Sequence, residues 1–221
     1  MLLHAILPAS RANGPGLRTV VFFQGCSLGC RGCFNPDTHL FRRVEVAPAE
    51  AVETLRDTHR KRSLEGIASS GGEPMQQADS LLALLQALQN HAPELSFGMF
   101  SGYTERELNE GRYAVWGRKL KGQEKRVPWE AIRPHLDFAV LGRFNRFQPI
   151  SEPLRSDQNQ VLRLFSSRYR ESDFGEQLAE VNIYEDGRLE GTGFRVLDLP
   201  WQRSLQCLGA IFLMFTRGSR L

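Results

Sequence analysis

The hydrophobic positions of this chain fall into short apolar runs that alternate with helical stripes. Residues 2–7 read as a first strand. Thr19-Val20-Val21-Phe22-Phe23 is β-branched and aromatic, which predicts a buried second strand. The turn-rich stretch 10–16, with Gly14-Pro15-Gly16 as its breaker, separates them. Pro48 is suited to the first position of a helix, and Ala51, Val52, Leu55 and Thr58 follow on one face. A short strand is expected over 66–69. Over 75–91, Leu81, Leu82, Leu85 and Leu88 recur at the 3.6-residue period, and Leu84 widens the stripe. That stripe is core packing and implies no chemistry. Residues 95–100 predict a strand. Thr104 is placed as an N-cap, with Glu107 completing a capping box. A helix over 128–136 and strands over 138–141 and 160–165 follow.

Strand and helix alternate several times, which predicts parallel strands joined by crossover helices. Active sites in such folds lie at the carboxyl ends of the strands. Two unusual segments directly follow predicted strands: the loop Gly25 to Asn35, and Ser70-Gly71-Gly72-Glu73-Pro74. They are therefore expected on one rim. The tail is less regular. Glu185-Asp186-Gly187-Arg188 is a hairpin signal between strands at 181–184 and from 189 onward. A further strand is expected over 194–197. The apolar run 208–215 is too short to span a bilayer. There is no internal repeat.

The first of these segments carries the chemistry. Cys26, Cys30 and Cys33 are spaced Cys-x3-Cys-x2-Cys, and three thiols so close cannot all pair as disulfides. They can converge on one metal centre, because Gly29 and Gly32 let the loop curl. Soft thiolates suit zinc or an iron–sulfur cluster. A cubane cluster takes four ligands and this loop offers three, which leaves one iron for a ligand that is not protein. The distant Cys207 reads as a buried structural thiol. His39, six positions after Cys33, makes a zinc site of three cysteines and one histidine the competing reading. The short spacing and the lack of a second knuckle count against it. His4, His59, His91 and His135 show no ligand spacing.

Composition narrows the class. The 221 residues are 41% hydrophobic, enough for one domain with a sizeable core and at most a small appendage. A net charge of +3 does not argue for nucleic-acid binding. Residues 111–127 concentrate Arg112, Arg118, Lys119, Lys121, Lys125 and Arg126 around Tyr113 and Trp116. Such a stretch can touch nucleic acid or an acidic partner; a solvated loop is the plainer reading. No run of 18 apolar residues exists and the N-terminus lacks a signal-peptide core, so a cytoplasmic protein is expected, with no membrane partner. A reducing compartment keeps thiols available for metal.

The cysteine motif after one strand and Gly71-Gly72-Glu73-Pro74 after another together resemble the radical S-adenosylmethionine (SAM) superfamily. Gly14-Pro15-Gly16-Leu17-Arg18 is similar to the lead-in of glycyl-radical-enzyme activases. Cys30-Arg31-Gly32-Cys33-Phe34-Asn35 resembles the loop of the anaerobic ribonucleotide reductase activases. Phe100-Ser101-Gly102-Tyr103-Thr104, Leu141-Gly142-Arg143-Phe144, Pro153-Leu154-Arg155 and Asn159-Gln160 are similar to further motifs of that family. The likeness covers roughly residues 10–165. Leu141 stands where the family carries Asp, and Ser156-Asp157-Gln158 replaces its Gly-Ser.

The resemblance implies an α/β fold. It would be a partial (β/α) barrel of parallel strands over 1–170, with a small β-rich C-terminal extension over 171–221 packing on it. It implies a 4Fe-4S cluster on Cys26, Cys30 and Cys33, with SAM chelating the open iron. Gly71 and Gly72 would let backbone approach SAM. Glu73 would face its ammonium group or shape a backbone contact, Phe34 would pack on adenine, and Gly32 would supply backbone contacts. An electron from the cluster would cleave SAM to methionine and a 5′-deoxyadenosyl radical, which takes hydrogen from a glycine Cα of a partner enzyme. No acid–base catalytic residue is required. The implied partners are a glycyl radical enzyme, such as anaerobic ribonucleotide reductase, and a low-potential electron donor such as flavodoxin or ferredoxin. Leu141, the altered 156–158 segment and the tail motivate one alternative, a radical SAM enzyme acting on a peptide or small molecule. A zinc-stabilised binding module without enzymatic activity is the second.

Overall fold

A computed structural model describes residues 1–41, 45–176, 179–183 and 189–193. The chain opens with β1 (Leu3–Ser10), paired antiparallel with β2 (Arg18–Phe23). Helix α1 (Pro48–Arg62) starts on the expected proline and crosses over to β3 (Gly66–Gly71). Helix α2 (Ala78–His91) leads to β4 (Ser96–Ser101). The short α3 (Glu105–Asn109) and α4 (Arg126–Ile132) lead to β5 (Phe138–Leu141). Strands β2 to β5 are parallel neighbours in register. β6 (Pro149–Glu152) and β7 (Arg155–Asp157) form a small separate hairpin. β8 (Val161–Leu164) joins the sheet edge antiparallel to β5. The six-stranded order is β1-β2-β3-β4-β5-β8, so the fold is α/β around a largely parallel sheet. β9 (Ala179–Ile183) and β10 (Leu189–Gly193) pair antiparallel further along. They touch the end of β1 through Ser10 and Glu180 (2.5 Å) and through Asn13 and Thr192 (2.9 Å).

Strand alternation decides which face meets the helices. Val21, Phe23, Ile67, Phe97, Met99, Ala139 and Leu141 join the large core with α1, α2 and α4. Val20, Ala68, Phe138 and Val140 point to the opposite face, where Tyr169 and Phe174 cover Phe138. This two-sided burial explains why β2 and β5 read as continuous apolar runs. In α2 the buried stripe is Leu81, Leu84, Leu85 and Leu88, while Leu82 lies at its margin. Leu84 is thus central to the stripe, where periodicity suggested only a flank.

At the amino ends of the strands Arg18 is fully buried. It donates to Pro15 O (2.8 Å), Ser96 Oγ (2.6 Å) and Tyr169 Oη (2.8 Å), and stacks on Phe138 at 5.0 Å. One cation therefore ties three strands to the segment after β8.

Three departures from the sequence reading have simple causes. The helix expected from Met75 begins at Ala78, because Pro74–Gln77 form a 3₁₀ turn capped by Glu73. The chain between β5 and β8 forms the β6–β7 hairpin, which is too short and too exposed to show periodicity. β8 is antiparallel since that hairpin, and no crossover helix, precedes it. The expected turn at 185–188, the strand at 194–197, Cys207 and the run 208–215 lie outside the described residues.

Candidate metal centre

β2 and β3 run parallel with Phe23 opposite Gly71, so the chain must leave both at the same place. The two loops meet there. Gly72 N donates to Phe23 O (2.8 Å), and Glu73 N donates to Gly25 O (2.9 Å). A Cβ on Gly72 would stand 2.4 Å from Gly25 O. Gly71 has φ +95°, and a Cβ there would lie 2.7 Å from Phe23 N and O. The glycines are thus required for the turn to lie directly on the first residues of the cysteine loop.

Glu73 is 1% exposed and locks this turn to the end of β4. Its Oε1 accepts from Met75 N (2.9 Å) and Ser101 Oγ (2.8 Å), and its Oε2 accepts from Gly102 N (2.8 Å). Burial pushes the carboxyl up to about 7, while these three donors and the Arg143 charge pull the other way.

Two buried glutamines fasten the cysteine loop. Gln76 accepts from Ser27 N (3.0 Å) and donates to Ser27 Oγ (2.7 Å) and Tyr103 Oη (2.8 Å). Gln77 donates to Leu2 O and Gln24 O, both at 2.9 Å, and accepts from Leu2 N. Gln24 in turn donates to Asp37 O (3.1 Å). The far side closes through Gly25 N to Thr38 O (2.7 Å) and Cys26 N to His39 O (3.0 Å).

Within the loop, Cys33 N donates to Cys30 O (3.2 Å) in a tight turn, and Gly32 takes φ +76°. Cys26, Cys30 and Cys33 are free, partly buried thiols. Desolvation pushes Cys26 up to about 11 and raises Cys33 as well. N–H groups counter this: Leu28 N–H faces the Cys26 sulfur, and Asn35 N donates to Cys33 Sγ at 3.4 Å. Three soft sulfurs on one loop, with backbone N–H groups aimed at two of them, fit an iron–sulfur cluster. Among the described residues no three Cys, His, Asp or Glu side chains already form a metal-binding group, whether with or without His39.

The segment leaving β5 lies against one side of the loop, at Gly32 and Phe34. Gly142 N donates to Ser101 O (3.0 Å). Arg143 donates to both Glu107 carboxylate oxygens at 2.8 Å and lies over the Tyr103 ring at 5.5 Å. Phe144 packs on Phe34, with ring centroids 4.6 Å apart. Arg146 reaches to 3.0 Å from a Cβ built on Gly32. The basic stretch 111–127 forms another wall. Tyr113 and Val115 are buried, and Arg112 and Arg118 pair outward with Glu110 and Asp79 at 2.6 Å. Its inner edge bonds to the site through Ala114 N to Tyr103 Oη (3.1 Å) and Trp116 N to Gln76 O (2.7 Å). The solvated-loop reading therefore holds for its charges and for the exposed Trp116, but not for the buried Tyr113.

Gly71, Gly72 and Glu73 thus meet the start of the cysteine loop, as expected, and Gly32 and Phe34 meet the segment after β5. Gln24, Gln76, Gln77, Tyr103 and Arg143 were not anticipated. The hints were the capping box, which fixes Glu107 and so holds Arg143, and the motifs around Tyr103 and Arg143, which carry no role on their own.

Comparison with known proteins agrees with this geometry. A family model described as a 4Fe-4S single cluster domain matches residues 12–163. The chain belongs to this 4Fe-4S family, among the radical SAM activases. The anaerobic ribonucleoside-triphosphate reductase-activating protein of Vibrio cholerae is 29% identical over 175 residues, covering 75% of this chain and 99% of that one. The protein of the same name from Escherichia coli K12 is 31% identical over 121 residues, or 52% and 77% of the two chains. The pyruvate formate-lyase-activating enzyme of Clostridium pasteurianum is 39% identical over 87 residues, 38% of this chain and 37% of that one. This activase is therefore an enzyme with a 4Fe-4S cluster, and the competing zinc reading falls away. Among the described residues no helix is long and apolar enough to cross a membrane.

Proposed function

We propose that this activase binds SAM at its cluster and installs a glycyl radical on a partner enzyme of the anaerobic ribonucleoside-triphosphate reductase kind. The observation that carries the reading is the joint formed by Glu73 N and Gly25 O, which seats the glycine turn on the cysteine loop. Cys26, Cys30 and Cys33 hold the cluster. When bound, the cluster supplies the electron that cleaves SAM, and with it a 5′-deoxyadenosyl radical able to take hydrogen from a glycine Cα.

The chain's own residues bind, orient and exclude water. Gly71 and Gly72 present backbone at the rim, and Gly32 does so beside the last cysteine. The Glu73 carboxylate already accepts three hydrogen bonds from the protein, which favours a backbone contact with the SAM ammonium over a direct carboxylate contact. Phe34 offers a ring edge beside Phe144 for adenine. No residue is needed to move a proton.

The parallel run β2 to β5 supports reading the sheet as the wall of a partial (β/α) barrel over residues 1–170. The β9–β10 pair, bonded to the β1 end, supports a small extension over 171–221. A low-potential carrier such as flavodoxin or ferredoxin supplies the electron, and the compartment is the cytoplasm. The test is anaerobic reconstitution with iron and sulfide, then addition of dithionite and SAM. The reading expects 5′-deoxyadenosine and methionine, and no cluster in Cys30→Ala. A cluster-loaded protein that leaves SAM intact would refute it.

A further inference from the structure

We propose that Arg31, Arg146 and Phe147 form the docking point for an acidic one-electron carrier protein, placed directly over the cluster loop. The inference rests on the cluster reading above and names the partner at one face of that site. Phe147 is 67% exposed, more than any other large hydrophobic side chain among the described residues. Two guanidinium groups flank it, Arg31 at 5.8 Å and Arg146 at 5.4 Å from the ring centroid. Arg31 and Arg146 are exposed, and neither forms an ion pair among the described residues. Three acids of the adjoining elements are committed elsewhere. Asp157 is fully buried and accepts from Asn145 N and Asn159 N, Glu152 pairs with Arg155, and Glu107 pairs with Arg143. The result is an aromatic knob between two uncompensated positive charges.

Its position selects the partner. Arg31 sits between Cys30 and Cys33, and Gly29, Arg31 and Gly32 are exposed. Nothing stands within 4 Å of a Cβ built on Gly29. The cluster loop therefore meets solvent here. Hydrogen abstraction needs a covered, water-free site; electron entry needs only a short path from the surface. Redox encounters use small interfaces, and complementary charge sets their rate. An acidic carrier guided by Arg31 and Arg146, and seated on Phe147, meets all three conditions. One electron leaves the carrier and enters the cluster, with no bond made or broken and no proton moved.

Stopped-flow reduction of the cluster-loaded protein tests this without SAM. Reduced flavodoxin serves as the acidic donor and dithionite as the small control. Arg146→Glu and Phe147→Ser, singly and together, are compared with wild type at equal iron content. The expected result is a fall in the flavodoxin-driven rate constant of about tenfold at low ionic strength. The wild-type rate should drop as salt rises, and the Arg146→Glu rate should respond far less. Dithionite-driven reduction should be unchanged. A double variant reduced by flavodoxin at the wild-type rate, with the wild-type salt dependence, would overturn the proposal. Failure of the SAM reading would appear separately, as a cluster that accepts electrons normally yet leaves SAM uncleaved.

Discussion

Gly72→Ala tests whether the glycine turn and the cysteine loop form one unit. The new Cβ would stand 2.4 Å from Gly25 O, 2.9 Å from Gly25 C and 3.0 Å from Gly25 N. All three are backbone atoms, so no side chain can swing aside. Bringing the shortest contact to 3.0–3.4 Å requires the turn or the loop to move by roughly 0.6–1 Å. That shift strains the Glu73 N to Gly25 O bond and the Gly72 N to Phe23 O bond beside it. Overpacking of this kind costs about 1–3 kcal/mol. In a domain of this size the melting temperature of the apo-protein should fall by roughly 2–12 °C. Because Gly25 adjoins Cys26, the iron retained after anaerobic reconstitution and gel filtration should fall as well. Gly117→Ala is the control. Gly117 has φ +73° with no atom within 4 Å of its Cβ, so it costs only left-handed backbone strain, about 1–2 kcal/mol. The two variants should therefore lose similar stability, and only Gly72→Ala should lose iron. Wild-type iron retention and melting temperature in Gly72→Ala would refute the reasoning.

Gln76→Ala strips buried partners from Ser27 and Tyr103 and should cost about 1–3 kcal/mol in urea melts, with faster iron loss to a chelator. An unchanged urea midpoint would show that Gln76 is not the clamp. Arg18→Met removes the guanidinium donor from Tyr169 Oη and the Pro15 carbonyl, and one of two donors from Ser96 Oγ, and should cost about 3 kcal/mol, while the cluster, at the opposite end of the strands, is retained. Glu107 gives a pH signature. Burial raises its carboxyl, but the Arg143 and Thr104 hydrogen bonds and the Arg143 charge outweigh this and bring it down to about 2. A depressed folded-state value means the stabilisation is complete above the unfolded value of about 4.3 and is lost as pH falls through about 2. Between pH ~4 and ~2 the wild-type urea midpoint should therefore fall more steeply than that of Glu107→Gln. Parallel slopes would contradict this.

The main strands and the shared rim were legible because both depend on local signals. Thr19 to Phe23 and Phe138 to Leu141 are apolar without interruption, and each rim segment follows its strand directly. The capping box at Thr104 and Glu107 was equally local. What escaped was long-range. Gln76 meets Ser27 across 49 positions, and nothing periodic marks a glutamine that will be buried. Phe34 was read as an adenine platform from its place beside Cys33, but its partner Phe144 lies more than a hundred positions away. The resemblance gives Gly71 and Gly72 a role in backbone approach to SAM, but no local signal places them against Phe23 and Gly25. The antiparallel β8 was hidden because the β6–β7 hairpin that precedes it, in place of a crossover helix, is too short to show periodicity.

The most direct test of the central claim is an anaerobic EPR experiment. Cluster-loaded protein, SAM and reductant are mixed with an anaerobic ribonucleoside-triphosphate reductase. A glycyl radical doublet is expected on the reductase, growing with SAM cleavage and vanishing when the reductase glycine is replaced by alanine. SAM cleavage at full rate with no radical on that partner would contradict it.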